Sequence, residues 1–209
     1  VCNGTTLATI NFATSNTSGS TSYSWTNDTP SIGLGASGNG NINAFAAINL
    51  GISPIVATIQ VTPSYTNNGI TCSGLSTSFT ITVNPTAQVN TIANQILCNG
   101  TTTSAVTFTT NNTGGKTTYS WTNSNPAIGL ALSGTGNINA FNVTNNTPSP
   151  IIGTITVTPS FSNGTPACTG PTQSFTITVN PSPAVSFSPT NQTICSGDTA
   201  ALVTLSSTT

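Results

Sequence analysis

The segment FTITVNPTAQV at residues 79–89 returns almost unchanged as FTITVNPSPAV at residues 175–185. In both copies Phe, Ile and Val alternate with Thr, the period-two pattern of a strand with one buried and one wet face. The Asn-Pro pair that follows ends the strand, because proline has no backbone N–H to donate to a sheet. The segment therefore predicts a β-strand that stops at a module boundary.

These copies belong to an internal repeat with a period of 96 residues. Residues 1–89 align without a gap onto 97–185. The recurring landmarks are Cys2, Trp25, Phe45 and Cys72, repeated as Cys98, Trp121, Phe141 and Cys168. Because TICSGDT (193–199) echoes ILCNGTT (96–102), a third copy begins near residue 182, and we expect the chain to be a piece of a longer array. The predicted domains are residues 1–85, residues 86–181 and the start of a truncated repeat at 182–209.

A repeat of this length matches one independently folding domain of about 100 residues. Apolar residues also alternate at Tyr23 and Trp25 and at Ile59 and Val61, and Gly- and Pro-rich turns separate these short stretches. No segment has helical periodicity with caps. The sequence predicts an all-β chain of tandem immunoglobulin-like antiparallel β-sandwich modules, and its short Pro-containing linkers predict a semi-rigid, rod-like array.

Charge is almost absent, since the only charged side chains are Asp28, Lys116 and Asp198, and there is no His. Acid–base and nucleophilic catalysis need paired carboxylates, a His or another activating base, so we expect no enzyme and no catalytic residue. We likewise expect no cofactor, no metal site and no nucleic-acid partner. No apolar run is long enough to span a bilayer. Because residues 1–30 lack a basic segment followed by an apolar segment, we expect no signal peptide in this stretch.

The five cysteines are widely spaced, which is typical of structural disulfides in an oxidising, extracellular compartment. Two pairings respect the repeat. The favoured pairing joins Cys2 to Cys72 and Cys98 to Cys168 within each module, which leaves Cys195 unpaired. The alternative crosses the junctions and joins Cys72 to Cys98 and Cys168 to Cys195.

The predicted core contains four aromatic residues, Trp25, Trp121, Phe45 and Phe141. Each tryptophan lies in a predicted strand whose apolar and polar residues alternate, and each phenylalanine follows a predicted turn. The competing interpretation makes the tryptophans a platform for sugar rings. A third interpretation, an ice- or surface-binding threonine array, is disfavoured because runs such as TFTITV occur only once per repeat.

The ordered motifs CNGT, YSWTN, GxGNINAF, TIxVTPS and FTITVNP resemble the PKD-like repeats of giant cell-surface adhesins in the Bacteroidota. That family includes the gliding-motility adhesin exported by the type IX secretion system. The chain departs from many copies by having Asn43 and Asn139 where they have Pro. The tripeptide Asp-Thr-Ala at 198–200 resembles the O-glycosylation signal of that phylum, which makes Thr199 a candidate glycosylation site.

The resemblance implies structural stalk repeats of a secreted or cell-surface adhesin or filament that mediates adhesion or gliding motility. The expected partners are neighbouring repeats of the same chain, with surface glycans and components of the secretion machinery as further candidates. The alternative function is an extracellular carbohydrate-binding module. These two functions differ in whether aromatic rings are buried or exposed.

Overall fold

A computed structural model describes residues 1–207 and is nearly all β-structure. The first repeat contains β1 (Thr6–Leu7), β2 (Ser20–Asn27), β3 (Ser37–Asn39), β4 (Phe45–Ala46), β5 (Ile55–Asn67), β6 (Ile70–Ser73) and β7 (Thr77–Val83). The strands that follow are β8 (Gln95–Cys98), β9 (Lys116–Asn123), β10 (Ser133–Thr135), β11 (Ile151–Ser162), β12 (Cys168–Thr169), β13 (Gln173–Asn180), β14 (Val185–Ser188) and β15 (Thr204–Ser207). Two single 3-10 turns lie at Pro30–Ile32 and Pro126–Ile128. The predicted all-β class is confirmed.

The main sheet of the first repeat has the order β3-β2-β5-β6, with β7 also paired to β5, and all of these pairs are antiparallel. A second sheet has the order β10-β9-β11-β13-β8, with β12 on β11. The elements therefore recur at the sequence period, since β2, β3, β5 and β7 have counterparts in β9, β10, β11 and β13. Two further pairs of strands, β1-β4 and β14-β15, are antiparallel.

One strand pair in each repeat is parallel. Cys2 forms a parallel bridge to Asn84, and β8 pairs in parallel with β13, where Cys98 lies opposite Asn180. Alternation of apolar residues does not distinguish parallel from antiparallel partners, so this feature was not predicted. The parallel pair places the first cysteine of each repeat beside the end of its last strand.

The core of the first repeat forms where the alternating residues of β2, β5 and β7 face inward. Trp25, Ile59, Val61, Ile81 and Val83 are all buried there. Thr and Ser occupy many of the intervening positions, where the sheet meets water. The alternating apolar residues of these strands therefore face the core, as predicted.

Two compact units make up the chain. Unit 1 contains residues 1–90, 109–119 and 158–172, and unit 2 contains residues 91–108, 120–157 and 173–209. Unit 1 thus contains the whole of the first repeat, the linker at residues 86–90 and two segments of the second repeat, residues 109–119 and 158–172. The domain boundaries at 85 and 181 stay a prediction.

Candidate functional site: a disulfide-bonded joint between repeats

The linker at residues 86–90 is hydrogen-bonded to a loop of the second repeat inside unit 1. The N–H of Gln88 donates to Asn112 Oδ1 at 2.7 Å, and the N–H of Asn90 donates to the Thr109 carbonyl at 2.8 Å. Between these anchors the side chains of Ala87 and Val89 are buried. The linker therefore alternates backbone hydrogen bonds with buried apolar side chains, as an added β-strand does.

Asn112 is the central polar residue of this joint. Its side chain is 9 % exposed, and besides accepting from Gln88 it donates through Nδ2 to the Thr86 carbonyl at 3.1 Å. Thr110 supports it, because Thr110 Oγ1 donates to Asn112 Oδ1 and also accepts the Asn112 N–H. One amide therefore binds the linker on two sides, and the loop that carries it is ordered by its own threonine.

The same loop contacts the first repeat beyond the linker. The N–H of Thr113 donates to the Ile52 carbonyl at 2.9 Å, and Gly114 lies against the ring of Pro54. Gly114 has φ +72°, a left-handed conformation in which glycine is favoured. A second loop approaches through Gly170, which lies directly against the backbone of Ala87. Two loops of the second repeat thus enclose the end of the first.

A disulfide between Cys2 and Cys168 crosses this joint. The S–S distance is 2.04 Å and the Cα atoms are 5.5 Å apart, within the usual range for disulfides. Cys2 lies beside Asn84 at the end of the first repeat, while Cys168 is 2 % exposed in β12. The bond therefore connects the first cysteine of one repeat to the second cysteine of the next.

The predicted pairing of Cys2 with Cys72 is wrong, because the two residues lie at opposite ends of β5. Cys2 is bridged to Asn84, next to the pair Val83–Ile55, whereas Cys72 lies opposite Tyr65. Ten residues of strand separate Ile55 from Tyr65, which corresponds to about 33 Å at about 3.3 Å per residue. A disulfide requires Cα atoms within about 7 Å.

The predicted bond between Cys98 and Cys168 is also wrong, because Cys168 is bonded to Cys2 and Cys98 is a free thiol. The alternative pairing across the junctions is also wrong, since Cys72, Cys98 and Cys195 are free and exposed. Each free cysteine has a counterpart in the bonded pair, because Cys72 corresponds to Cys168, and Cys98 and Cys195 correspond to Cys2.

The predicted core aromatics lie at two depths. Trp25 and Trp121 are each 8 % exposed, and each packs against a cross-strand glycine, Gly38 and Gly134 respectively. Phe45 and Phe141 are partly buried. Thr199, the candidate glycosylation site, is exposed in a segment without regular strand structure.

An open groove of about 640 Å³ lies on the first repeat. The aromatic rings of Phe12, Tyr23, Tyr65 and Phe79 line it, and so does the free Cys72. Phe12 and Tyr23 have ring centroids 5.4 Å apart. Sequence inspection missed this groove because its rings come from four separate segments of the chain.

Two titratable groups are shifted by their surroundings. The backbone N–H of Thr58, helped by the Thr29 hydroxyl, holds the pKa of Asp28 below its ordinary value. Burial raises the pKa of Tyr119, opposed by a hydrogen bond with Thr110. Within residues 1–207 there is no cluster of three or more His, Cys, Asp or Glu side chains that could hold a metal ion.

Comparison with protein-family models gives no match, and comparison with curated proteins gives none either. Over the same described residues, no helix is long and apolar enough to cross a membrane.

Proposed function

We propose that the chain is a structural stalk segment of a secreted or cell-surface adhesin or filament, built from tandem immunoglobulin-like, PKD-like β-sandwich modules. The observation that carries this proposal is the joint. A linker that only connected two independent domains would not need a buried amide, two enclosing loops and a disulfide. Such a joint resists bending and separation, which are the demands on a stalk.

An extracellular location supports the same function. Disulfides form and persist outside the reducing cytosol, and Cys2 and Cys168 are bonded. The resemblance to PKD-like repeats adds gliding motility and export by the type IX system to the proposal, with neighbouring repeats as the main partners. The chemistry of the side chains supports a non-enzymatic role, because one Lys and two Asp are the only charged groups in the sequence.

Electron microscopy tests the proposal directly. The chain extended by several further copies of residues 86–181 should appear as a straight beaded rod, with one bead per repeat. Reduction of the same sample should increase the spread of angles between beads. A flexible coil or a compact globule under oxidising conditions would contradict a stalk.

The second candidate function, an extracellular carbohydrate-binding module, is supported by the groove. Its platform cannot be Trp25 or Trp121, whose rings are buried, so the rings of Tyr23 and Tyr65 would have to contact the sugar. A glycan panel tests this with Tyr65→Ala as the deficient variant. Binding that is absent from the native chain, or unchanged by Tyr65→Ala, would remove this candidate.

A further inference from the structure

The groove on the first repeat corresponds, residue by residue, to the place where the second repeat holds the linker. Asn16, Cys72 and Gly74 line the groove, and 96 residues later their counterparts are Asn112, Cys168 and Gly170. These three counterparts contact Thr86, Gln88, Cys2 and Ala87. The groove thus contains the residues that would receive a linker strand and a cysteine.

The loop at the groove already has the shape that binds the linker in the second repeat. The Asn16 N–H donates to Thr14 Oγ1 at 3.0 Å, as the Asn112 N–H donates to Thr110 Oγ1 at 3.1 Å. Ser18 has φ +66°, close to the φ +72° of Gly114, although a non-glycine residue rarely adopts this conformation. The loop is therefore preformed rather than shaped by its partner.

Burial of the aromatic residues differs between the two repeats. Phe161 is 0 % exposed and Phe175 is 2 % exposed, whereas their counterparts Tyr65 and Phe79 are only partly buried at the groove. The partly buried rings of the first repeat therefore leave apolar surface that a docked segment of chain would cover.

We propose that this groove is the acceptor site for the exit end of another module of the same kind, joined ahead of the first repeat in the same polypeptide. The exit end means an extended linker with the pattern of residues 86–90 together with a cysteine equivalent to Cys2. The Asn16 amide would bind the linker backbone, and Cys72 would bond the incoming cysteine. This inference deepens the proposed stalk function and rests on its tandem-module arrangement.

The free cysteine of the second repeat fits the same scheme. Cys98 is exposed and corresponds to Cys2. Near it, a cavity of about 520 Å³ is lined by Asn99, Asn145 and Ser182, among others. Their counterparts in the first repeat are Asn3, Asn49 and Thr86. There Asn3 Nδ2 donates to Thr86 Oγ1, and Asn3 Oδ1 accepts the Asn49 N–H. The chain therefore carries an acceptor cysteine, Cys72, and a donor cysteine, Cys98, of one repeated joint.

Formation of the bond is a balanced thiol oxidation. The two thiols lose two protons and two electrons as the S–S bond forms, and a small-molecule disulfide such as oxidised glutathione accepts them and is cleaved to two thiols. One cysteine thiolate first forms a mixed disulfide with glutathione and releases one glutathione thiolate; the second cysteine thiolate then attacks the cysteine sulfur of that mixed disulfide and releases the other. The exposed Cys72 is accessible for this attack.

A chain in which residues 1–96 are placed ahead of residues 1–209 tests the proposal. After oxidation with glutathione, non-reducing peptide mapping should find the added Cys2 bonded to Cys72, while Cys2 stays bonded to Cys168. Cys72 recovered as a free thiol would overturn the proposal, even if electron microscopy still showed a rod and so left the stalk intact. A disulfide-linked dimer of the unextended chain through Cys72 and Cys98 would instead identify a second copy as the partner and overturn the single-polypeptide source.

A peptide probe tests the groove without the cysteine. The peptide NPTAQVNT, which has the sequence of residues 84–91, should shift the NMR amide signals of Asn16 and Gly74 in the intact chain. Asn16→Ala should weaken its binding about tenfold, since loss of two hydrogen bonds is worth about 1.4 kcal/mol or more. Asn43→Ala, which removes an exposed amide away from the groove, is the matched control. Equal binding by both variants, or displacement of the peptide by glycans, would overturn the assignment.

Discussion

Asp28 and Ser124 perform the same task at equivalent positions of the two repeats. The Asp28 carboxylate accepts the Thr58 N–H at 2.8 Å, and Ser124 Oγ accepts the Thr154 N–H at 2.9 Å. A charged and a neutral oxygen acceptor thus fix the start of the same long strand. The charge of Asp28 is therefore not needed for the contact, but it makes the contact sensitive to pH.

The pH dependence of stability should follow from this pair. Because the folded-state pKa of Asp28 lies below its ordinary 3.8, the carboxylate stabilises the fold above about pH 4. This contribution is lost as the pH falls through the folded-state pKa. Asp28→Ser should retain the strand contact and lose part of the acid sensitivity, as measured by urea unfolding between pH 2 and 7. An unchanged pH profile would show that Asp28 does not govern it.

A buried amide in the first repeat should be essential for stability. Asn49 is 1 % exposed; its Nδ2 donates to the Ser53 and Val83 carbonyls, and its Oδ1 accepts the Gly51 N–H. Asn49→Ala leaves three backbone groups without this partner, so unfolding should become easier by about 2–4 kcal/mol. Chemical denaturation measures the change. Asn43→Ala serves as the exposed control. If Asn49→Ala lowers the free energy of unfolding no more than Asn43→Ala does, the buried amide does not stabilise the fold.

The contact between tryptophan and glycine across strands should not tolerate a methyl group. Gly38 pairs with Trp25, and a β-carbon at Gly38 would overlap the indole ring. Gly38→Ala should therefore destabilise the fold by about 1–3 kcal/mol through overpacking and change the Trp fluorescence. Gly35→Ala is the matched control, because its β-carbon would meet only the Ser37 carbonyl at 3.8 Å. Equal thermal midpoints for the two variants would contradict this packing.

Loss of the disulfide should weaken the joint strongly. The bond closes a loop with a sequence separation of 166 residues, and the chain-entropy model gives up to about 5 kcal/mol for such a loop. Cys2→Ser should lower the unfolding midpoint of the oxidised chain, whereas Cys72→Ser should leave it nearly unchanged because Cys72 is free and exposed. If Cys72→Ser caused the larger loss, the observed pairing would be wrong.

The thiol count distinguishes the observed pairing from the two pairings predicted from sequence. Alkylation of the native chain under non-reducing conditions should label Cys72, Cys98 and Cys195, which gives three modified cysteines by mass spectrometry. Either predicted pairing would leave only one free thiol. A mass increase of one label would therefore reject the bond between Cys2 and Cys168.

The sequence was sufficient for the strands but not for the joint. Alternation in residues 77–83 predicts a strand that the structure contains, because burial of every second side chain leaves a direct signal. The pairing of Cys2 with Cys168 has no such signal. It depends on which end of β5 or β11 each cysteine occupies, and strand direction is set by the tertiary fold. The groove was hidden because only the tertiary fold brings its rings together from four separate segments of the chain.

The bond between Cys2 and Cys168 also shortens the covalent path that bears tension when the chain is pulled. Tension applied at Val1 passes through two sulfur atoms to β12, so residues 3–167 carry no load along their backbone. Outside that loop lie only Val1 and residues 169–209, which can extend by at most about 150 Å at about 3.6 Å per residue. The reduced chain could reach about 750 Å by the same measure. Oxidation therefore lowers the greatest reach of residues 1–209 about fivefold, whatever the strength of the individual sheets.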